Sequence, residues 1–172
     1  MRWNSIKTLA LLSVLVLLIS GCSSNIDEEK SNIVDAAKQA FVGTPETTNT
    51  KSGEIDFYLP SGYQIEEENE YNITLENKGD TILLFINPNE AATSTLLLDL
   101  IEQNEDEYLE YAKFEEEGKI GFVALKELDE NTYELTVGVG GVKITTQTET
   151  KRLESYGEQL MKIANSIKQY SR

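Results

Sequence analysis

Histidine is missing from this 172-residue chain altogether. Its absence removes His-dependent nucleophilic triads, imidazole acid–base chemistry near neutral pH and His-ligated zinc sites. Cysteine occurs once, at Cys22, so the domain has no internal disulfide and no thiolate cage for a metal. Basic residues are scarce, 15 Lys and Arg against 30 Asp and Glu, for a net charge of −15. That deficit excludes nucleic acid as a partner, because phosphate recognition needs basic patches. It also argues against adsorption of the protein surface onto anionic lipid. The excess acid reads first as a solvated surface; a cationic partner is the narrower reading.

Two of the fifteen basic residues begin the chain. Arg2 and Lys7 form a positive segment, and no acidic residue precedes Asp27. Residues 9–19 are then apolar except for Ser13. That run is shorter than the ~20 residues of a membrane span but fits the ~7–15-residue apolar core of a signal peptide. Ile19-Ser20-Gly21-Cys22 follows. The tetrapeptide resembles the bacterial lipobox: an aliphatic residue, two small ones, then cysteine. The resemblance implies cleavage after Gly21 and a diacylglycerol on the Cys22 thiol, with the new amine often acylated as well. It places the protein on the extracytoplasmic face of the cell membrane, attached by lipid. Each buried methylene contributes about 0.8 kcal/mol, so one chain is marginal and two or more hold firmly. Loss of Arg2 and Lys7 with the leader takes the net charge from −15 to −17.

The 151 residues from Cys22 onward suit one domain. Residues 22–31 are polar and are expected as a spacer. Residues 32–42 carry Ile33, Ala36, Ala37, Ala40 and Phe41 at helical spacing. Residues 43–53 are rich in Gly, Thr and Asn and read as a linker, so shortening 27–53 is expected to leave the fold intact. The globular domain is expected over 54–170. Ile55, Phe57 and Leu59 alternate with polar residues, as do Tyr71, Ile73 and Leu75, the mark of half-buried strands. Residues 82–86 (ILLFI) are apolar throughout and predict a central strand covered on both faces. A helix over 93–105 is expected to bury Leu96, Leu97, Leu100 and Ile101. Residues 108–115 and 119–127 predict a hairpin, although 108–115 also fits a continued helix. Residues 133–139 and 142–147 predict a second hairpin across Gly140-Gly141. Leu153, Tyr156, Leu160, Ile163, Ala164 and Ile167 form the stripe of a closing helix.

The order is helix, strands, helix, strands, helix, with hairpin-length connections. It predicts an α+β fold, an antiparallel sheet with helices on both faces in an α/β/α sandwich. Leu59-Pro60-Ser61-Gly62-Tyr63, the hairpins and the closing Ile163-Ala164-Asn165-Ser166-Ile167 resemble the PsbP-like fold. That group includes photosystem extrinsic subunits and bacterial envelope lipoproteins. The resemblance implies a non-catalytic role in binding or assembly and supplies no site residue.

Carboxylates occur in runs: Glu66-Glu67-Glu68, Glu115-Glu116-Glu117, and Glu102, Glu105, Asp106 and Glu107. Calcium accepts such oxygens, but no D-x-[DN]-x-[DN]-G loop is present, and solvated loops are expected. Gly138, Gly140 and Gly141 precede a strand, fit no phosphate-binding motif, and are expected in a turn. Tyr58, Tyr63 and Tyr71 are candidates for one shared patch. The favoured reading is a non-catalytic binding or accessory module that requires no cofactor and no metal. Its partners are the membrane, through Cys22, and a protein of the cell envelope. The alternative is a small envelope hydrolase with two facing carboxylates, one of raised pKa. Cys22→Ser should leave an uncleaved precursor that takes up no labelled palmitate. Label in that variant would overturn the anchor assignment.

Overall fold

The computed structural model describes residues 26–168. The expected leader, Gly21, Cys22 and the start of the spacer lie outside the described residues.

The chain opens in helix α1 (Ile26–Val42). Asp27, Glu28 and Glu29 occupy its first turn, where negative charge favours the helix dipole, although for Glu29 partial burial and the neighbouring Glu154 and Glu28 outweigh this. Gly43 follows at its end, its N–H donating to the Gln39 carbonyl at 3.0 Å. The helix therefore starts inside the expected spacer. Its Ile33, Ala37 and Phe41 are buried in the same cluster as the sheet, so α1 belongs to the domain that the pattern began at residue 54. Deleting it would strip those residues from the core, and the expectation that 27–53 can be shortened freely fails for the helix.

Part of the expected linker is ordered too. β1 (Thr50–Ser52) pairs with β2 (Ile55–Phe57) in a two-stranded ribbon. The Asn49 side chain fastens the ribbon by bonding both the N–H and the carbonyl of Leu59. Phe57 is fully buried, and the Tyr58 N–H donates to Ser166 Oγ at 2.8 Å.

The main sheet has seven strands: β3 (Gln64–Glu68), β4 (Asn72–Asn77), β5 (Asp80–Ile86), β6 (Glu110–Glu116), β7 (Lys119–Asp129), β8 (Thr132–Val139) and β9 (Val142–Glu149). Their spatial order is β3-β4-β5-β9-β8-β7-β6, with every neighbouring pair antiparallel. Two meanders, β3–β5 and β6–β9, are thus joined along β5 and β9. Two-residue turns set their registers. Lys78-Gly79 and Glu117-Gly118 place both residues at positive φ, as the twist of a tight hairpin requires. Residues 108–115, open between helix and strand in the sequence, lie mostly in β6.

Helix α2 (Leu96–Glu102) follows β5, and α3 (Leu153–Ser166) closes the chain. One sheet face is fully covered. The α3 stripe of Leu153, Tyr156, Leu160, Ile163 and Ala164 packs there beside α1, over Leu84, Leu135, Val137 and Ile144. The two helices run parallel. Ile33 of α1 lies against Gly157 of α3, and at the far end Asn165 donates to the Ala40 and Phe41 carbonyls at 3.2 and 2.9 Å.

The other face is only partly covered by a helix. Helix α2 seats Leu97, Leu98 and Ile101 on Ile120, Phe122 and Ala124. Its Leu96 and Leu100, expected in the stripe, are about half exposed. Along β5 the cover is partial: Phe85 packs against the α2 cluster, while Leu83 is 54 % exposed, beside Thr74 and Thr145 in register. A seven-residue helix is too short to span seven strands ~4.8 Å apart. The sheet is central, as predicted, but β5 is not sealed on both sides.

Two glycines are packing notches. A Cβ on Gly121 would meet the Phe41 ring at 2.6 Å. Gly138, expected in a turn, lies within β8 opposite Phe122, whose ring a Cβ would meet at 2.2 Å. Only Gly140 of the expected turn pair takes positive φ.

Leu160 is fully buried, while Lys162 on the same helix faces Glu158 and Glu46 at the surface. Leu160→Ala should cost about 2–5 kcal/mol, and Lys162→Ala under about 1 kcal/mol. Urea denaturation of the soluble domain measures both. Equal, small losses would mean that the helix is not part of the core.

Candidate functional site

The groove at one end of the sheet follows from three chain segments that meet there. The β1–β2 ribbon forms one wall. The β3–β4 connection, Glu68 to Tyr71, forms the other. The turn after β5, Asn87-Pro88-Asn89, closes the side. Ile55, Ile86 and Pro88 give the groove apolar lining over a volume of about 650 Å³. A continuous depression of about 300 Å³ extends past Asp56 and Glu90 to Ile167 and Lys168.

Each wall is held by short-range bonds. Asn69 accepts from the N–H groups of Tyr71 and Asn72 through Oδ1. Its own N–H donates to the Asn72 carbonyl at 2.8 Å. The Asn87 N–H donates to the Gly141 carbonyl at 2.8 Å, which ties the side to the β8–β9 turn. The Ser52 hydroxyl, in the ribbon, donates to the Glu68 carboxylate across the groove. The Tyr71 hydroxyl donates to Glu70 at 2.7 Å.

The rim is acidic. Glu54, Asp56, Glu68, Glu70 and Glu90 line the two connected depressions, with Lys168 the single base among them. Like charges so gathered raise a negative potential, and the low-dielectric walls of a cleft focus it. Among the described residues no three carboxylates converge on a position that would hold a metal ion. The acids are distributed along an edge. That arrangement suits an extended cationic segment with apolar side chains better than a point charge.

The sequence-predicted features are dispersed by the fold. Cys22 and Gly21 lie outside the described residues. Glu66-Glu67-Glu68, expected in a loop, falls in edge strand β3, and Glu68 alone reaches the groove. Charge on an edge strand discourages pairing with another chain. Glu115 and Glu116 end β6 and Glu117 starts the next turn. Glu107 pairs with Lys126 at 2.5 Å, and Glu105 accepts from the Tyr111 hydroxyl at 3.0 Å. The three tyrosines do not share a patch. Tyr63 is buried edge-on against Tyr156 and donates to Gln159 at 2.8 Å, and burial pushes its phenol up. Tyr71 stands at the groove, 40 % exposed. Glu54, Asp56, Glu70 and Glu90 were not singled out in the sequence. They come from separate segments, and no local pattern announces them as one group.

The carboxyl of Glu29 is held above its usual range, first by partial burial, then by Glu154 and Glu28. It lies where the first turns of α1 and α3 meet, at the end of the sheet away from the groove. A raised carboxyl and an acidic cleft are thus separate features, and the facing pair that a hydrolase needs is not assembled from them.

No family model matches the chain, and no curated protein matches it. Among solved structures it is similar to the solution structure of cyanobacterial PsbP (CyanoP) from Synechocystis sp. PCC 6803. The two share 12% identity over 75% of this chain and 95% of that one, with a TM-score of 0.45. The superposition is too loose for any property of that protein to pass to this one.

The raised pKa of Glu29 has a thermodynamic sign. A carboxyl that is harder to ionise in the folded state costs stability while it is charged, and the cost disappears as pH falls through its folded value. Glu29→Gln should therefore raise Tm modestly at pH 7 and leave it unchanged well below the ordinary value of 4.5. Tm measured against pH for both proteins checks this. A uniform offset at all pH values would show that the charge is not the cause.

Proposed function

We propose that this chain is a lipid-anchored, extracytoplasmic accessory module that catalyses nothing and holds a cationic polypeptide segment in the acidic groove. One observation carries the binding reading: five carboxylates spread along the rim of a cleft with apolar lining. Basic side chains of the occupant would pair with the rim while its apolar ones rest on Ile55, Ile86 and Pro88. The lipid on Cys22 supplies attachment, so the protein surface need not bind the bilayer and can remain strongly acidic. An accessory role follows from this division, with one end of the molecule committed to location and the other to recognition.

The probe is a fluorescent peptide of alternating lysine and leucine, titrated into the soluble domain and followed by anisotropy. Replacing Glu54, Glu70 and Glu90 together with glutamine removes three rim charges. At about 0.5 kcal/mol per exposed pair this should weaken binding about tenfold. Replacing Glu66, Glu115 and Glu116 removes the same charge elsewhere and should have little effect. Equal weakening by both sets would mean that the peptide responds only to bulk charge, and the groove would lose its role.

A further inference from the structure

We propose that the short connection to the lipid fixes the orientation of the domain, so that the acidic groove is presented at the pole farthest from the bilayer and meets its partner from the outer side. The inference rests on the reading of Cys22 as the anchor. It adds where the groove stands and from which direction it can be filled.

The residue after the expected cleavage site is four positions from the start of α1 at Ile26. Four residues reach at most about 14 Å when fully extended. The first turn of α1 must therefore stay close to the lipid surface. From there α1 runs 17 residues, about 25 Å at 1.5 Å per residue. The rest of the fold can be placed along this axis. Helix α3 runs parallel to α1, with Gly157 beside Ile33 and Asn165 beside Phe41. Asp80, at the start of β5, accepts from Thr148 at 2.8 Å and pairs with Arg152 at 2.9 Å, near the start of α3. The other end of β5, Ile86, lines the groove with Ile167, just beyond the end of α3. The Lys78-Gly79 and Glu130-Asn131 turns thus share the near pole with the first turn of α1. The ribbon, the β3–β4 connection and the Asn87-Pro88-Asn89 turn share the far one.

A domain on so short a tether could still topple onto its side. The flank that α1 and α3 would then lay on the membrane carries Asp35, Glu154 and Glu158 around one Lys162. An anionic leaflet repels that surface. The upright arrangement keeps it in water. In the upright arrangement the partner segment belongs to a molecule that stands outside the membrane.

The test uses the full chain, extracted from bacterial membranes and reconstituted in phosphatidylcholine–phosphatidylglycerol vesicles. Mass analysis of the N-terminal peptide first reports whether Cys22 carries lipid. Because that thiol would be occupied, Glu130→Cys or Asn89→Cys supplies the sole site for a fluorophore, at the near and far pole respectively. A nitroxide-headgroup lipid should quench the label at 130 several-fold more than the label at 89. Inserting about twenty Gly and Ser residues between Asn25 and Ile26 makes the tether a flexible coil and should abolish the difference. Equal quenching without the insertion, or stronger quenching at 89, overturns the orientation and leaves the anchor standing. An unmodified Cys22 overturns both.

Discussion

Burial of the α1–α3 pair on one face of the sheet is the interaction on which the remaining structure depends. The stripe of α3 supplies most of it, and α1 completes the layer. Buried apolar area is worth roughly 25 cal/mol per Å², so this layer outweighs any hydrogen bond or ion pair in the molecule. With neither a disulfide nor a metal site of cysteine or histidine available to it, the fold must rest on such packing. The close approach of the two helices needs small residues at the contact. Gly157 lets Ile33 in, and Gly121 leaves room for the Phe41 ring where α1 crosses the sheet. Asn165 satisfies the last carbonyls of α1, groups that a helix end leaves unpaired.

The opposite face shows what happens where no such layer is available. Helix α2 covers the β7 side and stops. Beyond it Leu83 stands among threonines, and the surface around Thr81, Glu134, Thr145 and Gln147 stays open. An antiparallel sheet tolerates this, because one covered face is enough to anchor it and the other can be solvated. The result is a domain whose two sheet faces are unequally covered.

Charge is sorted by the same geometry. At the end of the sheet where β5 starts, Asp80 is shielded among Thr148 and Arg152 and helps tie β5 to β9 and α3. At the opposite end, five carboxylates border a cleft. On strand β3, glutamates face water at the sheet edge and guard it against pairing. One composition, 30 acids against 15 bases, thus serves solubility, edge protection and a candidate recognition surface, and position alone separates these roles.

The residue pattern by itself determined the local elements and their pairing type. The period of the α3 stripe, the alternation in β4, β8 and β9, and the tight Gly-containing turns act over a few residues, and side-chain direction there follows directly from helix or strand geometry. It also determined what chemistry is missing, since an absent histidine cannot be restored by folding. Tertiary structure alone decided the rest. Residues 26–31 look like a polar spacer, yet they start a helix whose later turns are held by a layer far away in sequence. Helix α2 has two overlapping apolar faces, and the Phe122 surface selected the one containing Leu98 over the one containing Leu100. Gly138 reads as a turn glycine until the ring opposite it is known. The groove was the least legible feature of all. Glu54, Asp56, Glu68, Glu70 and Glu90 are brought together by a ribbon, a hairpin connection and a strand end, and no interaction among near neighbours in the chain dictates that these three segments meet.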